Sequence, residues 1–401
     1  MRRSRSTMPV LLSVLALVCC LPLAAKTLML SFSHTGAFCD FTQYWSTGRL
    51  FFAHQNPYAI EPLVALQRPL GWPEARPIVA PNPPRSIPLF AAAGILPFAE
   101  ARELWRILSL VILLGAAWLL WDYFGGAART RWISLVLALT FLPFGITERI
   151  GQITPLILAG LVAFLLLLRS ERWVAAGILL LPALGVKPHL FCLVAAAILL
   201  WAIQERRWAL LGGAVGSTGA ACAAVALVDP AAFHYPKALL GHAMAENCGV
   251  GGALRIAFHT QHVWVQYLPC AAGAIWFTWY WLQHREHWEW SEHLPLLLLV
   301  SIASSPYGWA SDYIVALPAF VAVAARGAWK SPLVIVTWLF VQFGIFASPM
   351  LGIEAGVSAL WIAFWLLARS ATRVSPLRQS VAPPLNAHAL RSSPEAAARV
   401  F

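Results

Sequence analysis

A few polar side chains stand out in a chain that has little other polar chemistry. The aspartates are at 40, 122, 229 and 312. Asp40 begins the run Asp40-Phe41-Thr42-Gln43-Tyr44, and Asp312 lies in SPYGWASDY. A single carboxylate held against a reacting hydroxyl can take its proton as a general base, an effect worth about 10²–10⁴-fold. Lys187 and His189 stand in GVKPHL, and Glu148, Arg149 and Gln152 in ERIGQ. Cations of this kind can hold a phosphate and stabilise charge that develops on a leaving group. Each residue also has a plainer reading. Asp40 could cap a juxtamembrane helix. Lys187 could snorkel to lipid headgroups, although Pro188 breaks a helix at that point. Glu148 and Arg149 could neutralise one another. Asp312, between Trp309 and Ile314, could simply sit at the mouth of a span. His234, His242, His259 and His262 read as loop histidines.

Other chemistries lack their residues. There is no HExxH or other metal spacing, so a metal is not indicated. No Walker motif, GxGxxG or GxSxG elbow occurs, which argues against nucleotide enzymes and serine hydrolases. The seven cysteines form no CxxC, and a disulfide between Cys39 and Cys248 is possible because both fall in loops assigned to one side. The net charge of +11 comes without a basic stripe or a nucleic-acid motif, so no nucleic-acid partner is expected.

The surrounding sequence says what must position these groups. Apolar residues make up 60% of the 401 and charged residues 11%, with a mean hydropathy of +0.70. A soluble domain carries about 25% charge. The fold class expected is an all-α polytopic membrane protein. About twelve spans are expected, near 8–30, 103–124, 132–148, 153–169, 173–186, 189–204, 208–228, 263–283, 294–304, 311–325, 331–348 and 354–369. The first resembles a signal peptide, but its apolar character runs on through Leu28, Leu30 and Phe32, which favours an uncleaved span. Residues 1–370 read as a single transmembrane domain. Its first outer loop, 31–102, holds juxtamembrane helices, with 86–98 too short to cross. A second outer loop covers 229–262, and 374–401 reads as a disordered tail. With the N-terminus inside, most Lys and Arg fall in short inner loops (GGAARTR, RSER, QERRW) or at the termini, as the positive-inside rule requires. The polar candidates then gather on the outer side. Many of the 20 tryptophans lie near span ends, as interface belts do.

The order of several elements resembles glycosyltransferase family 87, of the C superfamily of multi-spanning glycosyltransferases. Asp40-Phe41 and Tyr44 follow the first span, then Asn56-Pro57-Tyr58, then Pro83-Pro84 and Trp105. Gly151-Gln152, Ala176-Gly177, Lys187-Pro188, Trp208, and Ser305-Pro306 with Trp309 complete the series, over roughly residues 10–350. The resemblance implies a plasma-membrane enzyme that moves a hexose, typically mannose, from a polyprenyl-phosphate donor to a lipid or glycan acceptor on the outer face. It implies Asp40 as general base, because an acidic residue in the first outer loop has that role in the superfamily. Lys187, Arg149 and His189 become candidates for the donor phosphate, and Gln152, Glu148, Tyr44, Asn56, Tyr58, Asp312 and Trp309 further site candidates. No cofactor is implied beyond the lipid-linked donor, which is a co-substrate, and membrane lipids are the other expected partners. The chain departs from the family in one place: a His often follows the Ser-Pro…Trp element, and here Ser311 and Asp312 stand there. From the residues alone, a transporter or flippase, a glycan polymerase or ligase, and a non-catalytic assembly partner remain alternatives.

Overall fold

The computed structural model describes residues 39–330 apart from 73–75 and 235–248, together with scattered residues within 21–29 and 334–342. The expected spans at 8–30, 331–348 and 354–369, the tail and the Cys39–Cys248 pairing fall wholly or largely outside these. Every described element is helical. The chain runs through α1 (Cys39–Phe52), α2 (Ile60–Gln67), α3 (Ile87–Ala91), α4 (Phe98–Tyr123), α5 (Trp132–Thr140), α6 (Leu142–Ile150) and α7 (Thr154–Arg169). It continues through α8 (Trp173–Ile178), α9 (Cys192–Gln204), α10 (Trp208–Val228), α11 (Gly249–Ala257), α12 (Leu268–His284), α13 (Trp290–Ala303) and α14 (Leu317–Ala325).

Among the described residues two helices, α4 and α10, are each long and apolar enough to cross a membrane. Two bent pairs bring the total to four if each is one span: 128–140 with 142–150, bent by 52°, and 173–185 with 188–204, bent by 115°. The bends have local causes. Pro143 has no N–H to give back to the preceding turn, so the helix breaks at Phe141, whose backbone is extended. The Leu142 N–H left over there is taken by Gln342 Oε1 at 2.7 Å. At the second bend, Pro182 lies in a π-helical turn (181–185) and Pro188 opens a 3-10 turn (188–191). Lys187 between them has φ −130° and ψ 70°, outside the helical region, as a residue before proline tends to be. The apolar run that reads as two spans, 173–186 and 189–204, is thus folded back sharply between them.

The expected first outer loop forms a clipped assembly of α1, α2 and α3. Gln67 is fully buried and joins its parts. Its Nε2 donates to Ser46 Oγ (2.9 Å) and Ile78 O (2.8 Å), and its Oε1 accepts from the Ile78 N–H at 2.8 Å. Trp45 Nε1 donates to Leu96 O at 3.0 Å, which holds α1 against the turn that follows α3.

The two ends of the bundle differ. At one end Tyr123 lies within electrostatic range of Arg169 and Glu289, and Gln204 Nε2 donates to Arg285 O at 2.7 Å. The Arg-rich connections 124–131, 169–173 and 204–208 therefore share that end. The N-terminus of α1, the 150–153 turn, the 185–189 turn and the 305–312 segment share the other, as their mutual contacts below show.

Close packing holds α1 in place. A Cβ on Gly48 would lie 2.4 Å from the Ala91 carbonyl oxygen, and one on Gly94 2.3 Å from the Arg49 nitrogen. Both obstacles are backbone and cannot swing aside. Gly→Ala in an unencumbered helix normally stabilises by about 0.4–1 kcal/mol. Gly48→Ala should reverse that sign and destabilise by about 1–3 kcal/mol, the range for overpacking. Gly115→Ala in α4, where nothing lies within 4 Å, should keep the usual sign. Thermal unfolding of the two variants in detergent compares them directly.

Candidate active site

Asp40 lies in the first turn of α1, where the helix dipole favours a negative charge. Its Oδ2 accepts from Gln152 Nε2 at 2.7 Å. The orientation of that amide is fixed from its other end. Gln152 Oε1 accepts from the Ile153 backbone N–H at 2.9 Å and from the Tyr44 hydroxyl. A backbone N–H can only donate, so the amide oxygen must face it and the NH₂ must face the carboxylate. Burial pushes the Tyr44 hydroxyl well above its ordinary pKa, which keeps it a neutral donor. Gln152 is brought here by Gly151, which ends α6 at φ +71°, a left-handed conformation suited to glycine. Thr154-Pro155 then starts α7.

Lys187 and Asp312 form an ion pair, Nζ to Oδ1 at 2.5 Å. Both residues are buried, to 7% and 0% exposure. Asp312 Oδ2 accepts from the Trp309 N–H at 3.1 Å, so both its oxygens are engaged. The turn carrying Asp312 is anchored by Thr147 and Thr154, whose hydroxyls donate to Ser311 O at 3.2 and 3.3 Å. The pair is close enough to act on Asp40. Burial pushes the Asp40 carboxyl up to about 6, the Lys187 charge pulls it down, and Asp312 adds a further push up. Both members of the pair also act on His189, whose ring stacks on Tyr307 with centroids 4.0 Å apart. His189 Nε2 is buried without a hydrogen-bond partner.

The structure thus brings Asp40, Tyr44, Gln152, Lys187, His189 and Asp312 together, with Trp309 half exposed at the edge. It does not bring in Arg149, which is exposed at the end of α6 and has no ion pair with Glu148 or any other described residue. Glu148 is instead buried and within electrostatic range of Arg106 on α4. Asn56 and Tyr58 are bonded within the first-loop assembly. Asn56 Oδ1 accepts from the Tyr58 N–H at 2.9 Å, and the Tyr58 hydroxyl donates to Asn82 O at 3.0 Å. Asn82 escaped the sequence reading, because Pro-Asn-Pro-Pro reads only as a turn. It is buried, and its Nδ2 donates to Val186 O at 3.3 Å, beside Lys187. A separate cavity of about 930 Å³, lined by Arg49, Phe52, Pro62, Leu66 and Ile95 among others, lies at the C-terminal end of α1. That is roughly 15–18 Å from Asp40 along the helix, at 1.5 Å per residue, so it is not this site. Among the described residues no cluster of His, Cys, Asp or Glu could hold a metal.

An apolar helical bundle with span-length helices, carrying a carboxylate and a buried ion pair where its helices break, defines a membrane protein with a polar site at one end. The family model of glycosyltransferase family 87 matches residues 81–306, more than half of the chain. The chain belongs to that family and is a membrane glycosyltransferase. No curated protein and no solved structure matches it.

Removing one member of a buried ion pair leaves the other charged and unpaired, a loss of about 3–5 kcal/mol, whereas replacing both with apolar residues is often near neutral. Asp312→Ala should therefore lower thermal stability sharply in detergent, and Lys187→Met with Asp312→Leu should recover most of it. Equal losses in the single and double variants would show that the pair does not act as a unit.

Proposed function

We propose that this glycosyltransferase moves a hexose, mannose by the family resemblance, from a polyprenyl-phosphate donor to a lipid or glycan hydroxyl, with Asp40 as general base. The observation that carries this reading is the asymmetry of the Asp40 carboxylate. Oδ2 is held by Gln152, while Oδ1 has no hydrogen-bond partner among the described residues. A carboxylate poised near 6 is ionised at neutral pH and more basic than an ordinary one.

In the proposed step the acceptor oxygen attacks the anomeric carbon and its proton passes to Asp40 Oδ1. The bond from that carbon to the phosphate oxygen breaks, and its electron pair leaves with polyprenyl phosphate. Attack opposite the leaving group inverts the anomeric centre. The phosphate is itself the stable leaving anion, so no general acid is required. Lys187 supports the growing phosphate charge. Its ammonium has three donors, and Asp312 Oδ1 takes one. Asp312 then acts by positioning the ammonium. No cofactor or metal enters the scheme, and the lipid-linked sugar is a co-substrate.

We place the site on the outer face of the plasma membrane, with both termini inside and twelve spans in the whole chain. Sorting of charge supports the orientation, since the Arg-rich connections lie at the end of the bundle away from Asp40. Cysteines introduced near residue 60 should label from outside in intact cells, and cysteines near residue 128 only after permeabilisation. Free labelling at 128 would reverse the orientation.

Asp40→Asn should lower sugar transfer by about 10²–10⁴-fold in proteoliposomes supplied with radiolabelled polyprenyl-phosphate mannose and a lipid extract, with donor binding retained. A base works only when ionised, so wild-type kcat/KM should rise with pH through an apparent pKa near 6 and level off above it. Gln152 donates to the ionised carboxylate, so Gln152→Leu should move that limb to higher pH. A profile that does not move in Gln152→Leu, or an active Asp40→Asn, would remove Asp40 from the role.

A further inference from the structure

The charges at the site do not balance around Lys187 alone. Asp40 and Asp312 contribute two negative charges near neutral pH, and Lys187 one positive charge. A donor phosphodiester adds another negative charge, and the departing monoester carries more. Arg149 is exposed at the end of α6 and is joined to Lys187, Asp312 or Asp40 by no hydrogen bond or ion pair among the described residues. The segment after the Pro-Asn-Pro-Pro turn carries a different one. Pro84–Ser86 forms a 3-10 turn that packs against the 181–185 turn and α10. Arg85 in it is half buried, and its guanidinium has no hydrogen bond or ion pair among the described residues. Arg85 Nε lies 3.7 Å from where a Cβ on Gly185 would be, two residues before Lys187. Three residues earlier, Asn82 fixes the same segment to Val186 through the 3.3 Å bond. One short stretch of chain is thus fastened to the Lys187 turn and brings an unpaired guanidinium to it. Asn82 Oδ1 and His189 Nε2 are also buried there without partners, which marks this neighbourhood as one with unmet polar groups.

We propose that Arg85 is the second cation of the donor-phosphate site, binding phosphate oxygens at the Lys187 turn. The inference rests on the reading that the site takes a polyprenyl-phosphate sugar. Arginine suits the task because its planar fork can hold two phosphate oxygens at once and stays charged when half buried. Lys187, tied to Asp312, acts as a fixed point charge, and Arg85 brings the set of four side chains to neutrality before the donor arrives.

The test measures the affinity of the full-length protein in nanodiscs for two probes, decaprenyl phosphate and decaprenol, which differ only in the phosphate. Wild type should bind the phosphate far better than the alcohol. Arg85→Gln, neutral and similar in shape, should bind the phosphate about 10- to 100-fold more weakly, the range for lost hydrogen bonds to a charged group, with decaprenol unchanged. Arg85→Lys should fall between them, which separates loss of charge from loss of fold if Arg85→Gln is poorly behaved. Wild-type preference for phosphate that survives in Arg85→Gln would overturn the role of Arg85 and leave the donor class standing. A wild type that does not distinguish the two probes would overturn the donor class itself, and the inference with it.

Discussion

The arrangement depends on one constraint: an ammonium buried in an apolar bundle must meet its counterion where it sits. Lys187 and Asp312 are 125 residues apart in sequence and 2.5 Å apart in space. Their contact fixes the sharp turn between α8 and α9 against the segment between α13 and α14. Two charges removed from water are stable only when their remaining hydrogen-bonding capacity is met. Asp312 achieves this with the Trp309 N–H, and the Ser311 carbonyl beside it is claimed by two threonines. This turn is therefore braced from α6 and α7 as well as from Lys187. The polar core is connected across four separated stretches of chain, so none of them can shift alone.

The same constraint explains why the site lies where helices break. In an apolar solvent a continuous helix satisfies its own backbone and offers nothing to a ligand. Free donors and acceptors appear only where proline or a left-handed glycine interrupts the ladder. Pro182 and Pro188 produce the turn that presents Lys187, Gly151 the turn that presents Gln152, and Ser305-Pro306 the segment that presents Asp312. Asp40 belongs to the set because α1 begins there, where the helix dipole favours its negative charge. The clipped packing of α1, α2 and α3 then aims that helix start at Gln152.

Much of this was legible in the sequence, and the illegible parts have physical reasons. The apolar runs gave the helical class and the limits of α7 and α10 closely, because burial and hydropathy are properties of each run by itself, while α4 begins five residues before its expected start. Asp40, Lys187, Gln152 and Asp312 stood out because a polar group next to apolar sequence is rare. Their partners were not visible. Pairing across 112 or 125 residues leaves no local trace, so Lys187 read as a free cation when it is in fact tied to Asp312. Arg149 drew attention through its neighbour Glu148, but neighbours in a helix point in directions about 100° apart, and here one is buried and the other exposed. Arg85 and Asn82 were missed because proline-rich sequence signals a turn and hides what the turn is pressed against. The 115° bend at Lys187 was not visible either, since a hydropathy pattern records length and not direction.

The departure at the Ser-Pro…Trp element gains a physical meaning from this geometry. A histidine at that place would add a neutral or positive group beside Lys187. Asp312 adds a negative one, which on the proposed function would repel the donor and which pushes the Asp40 carboxyl up. On the proposed function, a site that binds an anion and needs an ionised base can tolerate neither consequence. The ion pair removes most of the conflict, because the Asp312 charge is directed at Lys187 and its second oxygen at a backbone N–H. What remains is a Lys187 whose charge is largely cancelled when viewed from a distance. A chain with aspartate at this position therefore needs positive charge from elsewhere at the same turn, and Arg85 is the cation that its structure places there.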